Sequence, residues 1–265
     1  MIDLNQIDFS DLDRPEVLSA VFHPRADWRA SPTNQQSQNH LIPVDRDVVI
    51  GARFHMKTTT APNILFFHGN GEIVADYDDM GPIYNRMGIN FLAVDYRGYG
   101  LSTGSPTITA MMRDCHVLFD FVKGWLKKNN WSGKLVVMGR SLGSASVLEL
   151  AASYPDLIDA LIVESGFAYS GPLLQLMGIQ LEKFGFTEEK GFRNLGKIQK
   201  YKKPTLIIHA EYDHIIPFSD AQALYNACPS GEKTILKIPE ANHNDIFLRG
   251  STAYLSAMKQ LFERL

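Results

Sequence analysis

The chain has 265 residues, 45% of them hydrophobic and 21% charged, which is enough to bury the core of one large α/β domain. Its formal net charge of −3 gives no electrostatic reason to expect nucleic acid or an anionic membrane as partner. Two cysteines, Cys115 and Cys228, cannot form a disulfide framework; with no basic n-region over 1–13 and no apolar run near the roughly 20 residues of a membrane helix, the expectation is a cytoplasmic protein without an integral membrane anchor.

From residue 39 onward short apolar runs alternate with helical patterns. Asn39–Val44 and Val48–Met56, joined by Asp45-Arg46-Asp47, read as an antiparallel hairpin with a polar turn. Ile64–Phe67, Asn90–Val94, Leu135–Met138, Ala160–Val163, Thr205–Ile208 and Thr234–Ile238 follow. Most are apolar at nearly every position, as in strands covered on both faces of a parallel sheet. Between and after them, Thr109–Lys128, Leu142–Ser153, Ser219–Ala227 and Ile246–Leu265 read as helices. The alternation predicts an α/β fold with a mostly parallel sheet, flanking helices and right-handed crossovers, organised as a single domain over 1–265. One stretch breaks the rhythm. Residues 165–203 hold no strand pattern but many apolar residues and glycines, and a connection this long predicts a short, cap-like helical insertion over one end of the sheet. Its bases Lys190, Arg193, Lys197, Lys200, Lys202 and Lys203 are expected on a solvated face.

Gly139-Arg140-Ser141-Leu142-Gly143 follows a strand pattern and opens a helical one. In that context G-x-S-x-G forms a nucleophile elbow, with the serine strained and exposed at a strand-to-helix turn. The small residues Gly139, Gly143, Ser144 and Ala145 suit the crowding of backbone there. A serine hydroxyl needs a base. Of the eight histidines, His243 stands out, because it lies between the last strand pattern and the final helix. His68 and His209 end strand patterns and could reach the same end of the sheet. The third member must be a carboxylate. Asp213, just past Thr205–Ile208, is the first choice; Glu164 is the serious alternative, and Glu211 and Asp245 are weaker. The order Ser141, Asp213, His243 is that of α/β-hydrolases rather than chymotrypsin or subtilisin. His68-Gly69-Asn70-Gly71 follows the strand Ile64–Phe67. Its small residues suit an oxyanion hole built from the backbone N–H of Leu142 and of Asn70, with Gly71 as the fallback. No Walker-type G-x-x-x-x-G-K-[ST] pattern occurs that would make this a phosphate loop.

These motifs, with Asp95-Tyr96-Arg97-Gly98-Tyr99-Gly100, Asp213-His214-Ile215-Ile216-Pro217 and Phe22-His23-Pro24-Arg25, resemble the compact serine hydrolases of the α/β-hydrolase superfamily, the esterase- and depalmitoylase-like branch. The resemblance implies an eight-stranded sheet with its first hairpin antiparallel, the triad Ser141, Asp213 and His243, the oxyanion donors Asn70 and Leu142, and no metal or organic cofactor. It further implies cleavage of carboxylic esters or thioesters through an acyl-enzyme, on a small-molecule or acyl-group substrate. A peptidase or amidase on the same fold, and a non-catalytic binding protein that kept the fold, are the alternatives.

Overall fold

The computed structural model describes residues 2–28 and 37–265. Among these residues eight strands form one sheet: β1 (Ser37–Asp45), β2 (Val48–His55), β3 (Asn63–Phe67), β4 (Asn90–Val94), β5 (Leu135–Arg140), β6 (Ala160–Glu164), β7 (Thr205–Ala210) and β8 (Lys233–Ile238). Their order across the sheet is β1-β2-β4-β3-β5-β6-β7-β8. β2 is antiparallel to both neighbours, β1 and β4, and every later pairing is parallel. The hairpin turn closes with the Asp45 carboxylate accepting from the Arg46 N–H at 2.8 Å.

Among the described residues eight α-helices accompany the sheet: α1 (Pro15–Val21), α2 (Met80–Arg86), α3 (Ile108–Lys128), α4 (Gly143–Ser153), α5 (Ser170–Leu176), α6 (Asn194–Ile198), α7 (Phe218–Ala227) and α8 (Ile246–Phe262). Strand side chains alternate between two cores, because successive residues of a strand point to opposite faces. On β3, Leu65 and Phe67 join the larger core under α3, α4 and α7, whereas Ile64 and Phe66 join the smaller one under α2 and α8. Residues of β3, β4 and β6 are buried throughout, which is why their sequences are apolar almost without interruption; β8, at the edge, is only partly covered. The start of α3 is fixed twice. Thr107 caps it, accepting from Ala110 N–H at 3.0 Å, and Asp13 accepts from Ile108 N–H at 2.7 Å.

The 165–203 stretch holds α5, two 3₁₀ turns at Leu181–Phe184 and Glu188–Lys190, and α6. Its basic residues do not share one solvated face. Lys197 is buried and ion-paired with Glu149 of α4 at 2.8 Å, and Lys203 donates to the carbonyls of Asp156 and Ile158. The sequence pattern missed the Lys197 pairing because its partner is remote in the chain. Both cysteines are buried and free. Among the described residues no helix is long and apolar enough to cross a membrane.

Candidate active site

β5 ends at Arg140 and α4 begins at Gly143, so Ser141 and Leu142 must reverse the chain within two residues. Ser141 adopts φ +50°, the left-handed region that costs a side-chain-bearing residue about 1–3 kcal/mol unless its surroundings impose it. They do. The Ser141 N–H donates to the Glu164 carbonyl at 2.9 Å, and its own carbonyl accepts from the Ser144 hydroxyl at 2.6 Å. A Cβ on Gly139 would collide with the Gly143 carbonyl, and one on Gly143 with the Phe67 carbonyl. Both glycines are therefore set by the close passage of backbone.

His243 stands on the loop between β8 and α8, and Asp213 on the loop after β7. The structure brings both to Ser141. His243 Nε2 lies 3.0 Å from Ser141 Oγ, and His243 Nδ1 lies 2.7 Å from Asp213 Oδ2. With a carboxylate at Nδ1, that nitrogen carries the proton and Nε2 is free to accept one from the serine. Burial pushes the Asp213 carboxyl up. The hydrogen bond and charge of His243 and the N–H groups of Ile216 and Ile215 outweigh this and hold it below the usual carboxylate value. It stays an anion.

The other residues weighed from the sequence have different partners. Glu164 takes the Tyr254 hydroxyl at 2.7 Å and faces Arg140, and burial raises its pKa. Glu211 pairs with Lys237, and Asp245 with Arg249. His68 is buried between the Gly69 carbonyl and Asp95, and His209 donates to the Ile216 carbonyl at 2.7 Å, with the same Nε2 3.4 Å from Asp213 Oδ2.

Leu142 N–H and Asn70 N–H have no hydrogen-bond acceptor among the described residues. The Asn70 side chain is held from both sides. Its Oδ1 accepts from the His23 N–H at 2.9 Å and the Tyr99 hydroxyl at 2.8 Å, and its Nδ2 donates to His23 Nδ1 at 2.8 Å. Arg25 adds a bond to the Gly71 carbonyl at 2.7 Å. So the Phe22–Arg25 segment, which the sequence marked only by resemblance, clamps the loop after β3.

Two hollows flank the triad. One, of about 250 Å³, lies on the α2 and α8 side and is lined by Tyr77, Met80, Arg140, Glu164, His243 and Phe247 among others. The other, of about 290 Å³, is an apolar cleft between α5 and the 213–217 loop, with Phe167, Tyr169, Leu173, Leu176 and Ile215 in its wall. Among the described residues no cluster of His, Cys, Asp or Glu is arranged to hold a metal ion. Arg140, His23 and Tyr99 lie in motifs that carry the resemblance, but the motifs do not disclose their roles, since the partners of Arg140 in the 243–244 loop and of His23 and Tyr99 at Asn70 are remote in the chain; Glu72 had no signal in the sequence.

The pattern of a family described as "Serine aminopeptidase, S33" matches residues 59–184. "Alpha/beta hydrolase domain-containing protein 17C" of Mus musculus is 29% identical over 262 residues, covering 93% of this chain and 74% of that protein. "Protein bem46" of Schizosaccharomyces pombe is 30% identical over 193 residues, covering 71% of this chain and 63% of its own length. Among solved structures, the Pyrococcus furiosus esterase Pf2001 superposes with a TM-score of 0.73 at 19% identity, covering 92% of this chain and 99% of that one. With the sheet shared across the molecule and sequence likeness running along nearly its whole length, the chain belongs to the α/β-hydrolase superfamily.

Proposed function

We propose that this α/β-hydrolase is a serine hydrolase that cleaves carboxylic esters or thioesters through an acyl-enzyme. The observation that carries the reading is the unbroken chain from Ser141 Oγ through the His243 ring to Asp213, at 3.0 and 2.7 Å. Ser141 Oγ attacks the substrate carbonyl carbon while its proton passes to His243 Nε2. Asp213 holds the ring tautomer and stabilises the imidazolium. The carbonyl oxygen, now negative, takes hydrogen bonds from the N–H groups of Leu142 and Asn70, and the start of α4 adds its positive end. When the carbon–leaving-group bond breaks, His243 returns its proton to the departing oxygen or sulfur. Water then repeats the cycle on the acyl-serine and restores the hydroxyl.

The apolar cleft beside Asp213 supports a hydrophobic group on one side of the scissile bond. A fluorophosphonate probe and a panel of short acyl esters test the reading. Wild type labels and turns over, and Ser141→Ala does neither. Equal behaviour of the two proteins rejects it. Matched esters and aminoacyl amides in the same assay separate esterase from peptidase, and faster turnover of the amides would select the second.

A further inference from the structure

Arg140 occupies the variable position before the nucleophile, where the G-x-S-x-G pattern demands nothing. In the structure it is the hub of the site. Its side chain is only 11% exposed. It leaves the end of β5, where its backbone registers with Glu164 of β6. Nη2 donates to the carbonyl of His243 itself at 2.9 Å and to Asn244 Oδ1 at 3.1 Å. Nη1 donates to Glu72 Oε1, and Nε faces Glu164 Oε1 at 3.3 Å. The Glu72 carboxylate in turn accepts from the Gly69 N–H at 2.7 Å, next to the oxyanion residue Asn70, and from the Tyr77 hydroxyl at 2.7 Å. One guanidinium therefore joins the elbow to the loop of His243 and, through Glu72, to the loop of Asn70.

The histidine loop has few other ties. On its far side it is bonded to the Asp213 loop, through Tyr212 N–H to the Ala241 carbonyl and His214 N–H to Asn242 Oδ1. Among the described residues, the bonds between this loop and the elbow are those from Arg140 and the Ser141–His243 bond itself. Asp213 orients the ring, while among the described residues Arg140 supplies the direct hydrogen bonds that join the backbone of the histidine loop to the nucleophile strand. A planar fork suits this task, since one ammonium cannot span two directions at fixed angles.

Building on the serine-hydrolase reading, the geometry points to Arg140 as a positioning residue that sets both the Ser141–His243 distance and, through Glu72, the oxyanion loop. It touches no reacting atom. Its role is to hold a near-attack arrangement whose loss by about 1 Å costs about 100-fold in rate.

The test measures ester hydrolysis by wild type, Ser141→Ala, Arg140→Ala, Arg140→Lys and Glu72→Gln, with circular dichroism and thermal melting to show that each is folded. Arg140→Ala is expected to lose about 100-fold in kcat with KM within about twofold, Arg140→Lys and Glu72→Gln about 10-fold each. Methylguanidinium, small enough for the hollow beside Arg140, is expected to restore part of the Arg140→Ala rate and none of the Ser141→Ala rate. A second readout does not need turnover: the far-downfield NMR signal of the His243 Nδ1 proton. It is expected to weaken or shift in Arg140→Ala and to remain in Glu72→Gln, which breaks only the oxyanion arm. A folded Arg140→Ala with wild-type kcat, or with its loss confined to KM, overturns the inference. Should Arg140→Ala fail to fold, wild-type kcat in both Arg140→Lys and Glu72→Gln overturns it. If wild type itself does not exceed Ser141→Ala, the ester chemistry has failed, and an unchanged Nδ1 proton in Arg140→Ala, or in Arg140→Lys where the alanine variant is unfolded, still decides the positioning role.

Discussion

At the nucleophile elbow the backbone has no freedom to be elsewhere. Ser141 is held at φ +50°, its N–H and carbonyl are both bonded, and Gly139 and Gly143 sit where any Cβ meets a carbonyl oxygen. The insertion between β6 and β7 is made differently. Short helices and 3₁₀ turns succeed one another, tied at a few points. The Glu188 carboxylate accepts from the N–H groups of Ser170 and Gly171, Ser170 Oγ accepts from Phe192 N–H, and Asn194 Nδ2 donates to the Phe167 carbonyl. Between those ties Tyr169 and Leu176 stand 41% and 59% exposed at the cleft. Steric exclusion fixes the Ser141 hydroxyl, whereas the wall of the cleft is held by a few polar contacts and by buried apolar side chains such as Phe167, Leu174 and Phe192. Substitutions in the first region should decide whether the protein reacts, and substitutions in the second should decide with what.

The sharpest break is Gly143→Ala. The added methyl would have to displace the Phe67 carbonyl, a backbone atom of the central strand β3 that cannot rotate away. Overpacking of this kind costs about 3 kcal/mol, read as a fall in the urea midpoint. Because the shift moves the elbow itself, labelling of Ser141 by a fluorophosphonate should be lost in the fraction that remains folded. A Gly143→Ala protein that labels at the wild-type rate would show that the elbow is not constrained by contact.

The second break is aimed at the insertion. Glu149 of α4 carries the Lys197 ammonium of α6 at 2.8 Å, with His116 at 3.5 Å on its other oxygen. Burial pushes the Glu149 carboxyl up, but His116 and Lys197 together hold it well below its ordinary value of 4.5. Glu149→Ala strands a buried cation, which costs about 3 kcal/mol. Short-ester kcat should stay within about twofold of wild type, since none of the triad's bonds pass through this pair. The sign with pH follows from the depressed pKa. The stabilisation is fully present above the unfolded value near 4.5 and is lost as pH falls through the folded one. The stability gap between wild type and Glu149→Ala should therefore shrink in urea melts taken below pH 4.5. A gap that widens there would refute the pairing.

The same two regions divide what the sequence could disclose. Strands were legible because burial on both faces leaves long apolar runs, and β4 spans Asn90–Val94 as read. β5 and β6 run on to Arg140 and Glu164, charged residues that the apolar pattern could not claim; they face each other across the ladder. α2 is not among the helices expected from the sequence, and its Gly81-Pro82 pair is a helix-breaking signal. Yet Pro82 lies in the first turn of the helix, where its missing N–H costs nothing, and Gly81 packs on the His55 ring. At the site, the residue types and their order picked out Ser141, Asp213 and His243. Preferring Asp213 to Glu164 rested on position and on the resemblance of the 213–217 segment, and only the fold shows Glu164 turned toward Arg140 and Tyr254. Arg140, His23 and Tyr99 stand in recognisable motifs, yet their partners at His243 and Asn70 are far away in the chain, so no local pattern could have announced what they do.

The smallest expected effect tests the comparison most closely. Leu176 lies at the end of α5, mostly exposed, and forms part of the wall of the apolar cleft. Truncating an exposed side chain away from the core changes stability by no more than about 0.5 kcal/mol, so Leu176→Ala should melt with wild type. Its consequence should appear in binding. On the proposed reading, an acyl ester too short to reach α5 would meet only Ser141, His243 and the N–H groups of Leu142 and Asn70, and should keep its kcat and KM. A longer acyl chain that lies along the cleft loses a few methylene contacts, each worth about 0.8 kcal/mol when fully buried and less at this half-open wall. KM for it should rise several-fold while kcat holds, because the contact is the same in the ground and transition states. A series of acyl lengths on one leaving group reads this as a divergence between wild type and Leu176→Ala that opens only beyond some chain length. Equal KM across the series would mean that the substrate does not use this cleft, and that the wall selecting it is the one lined by Met80 and Phe247 instead.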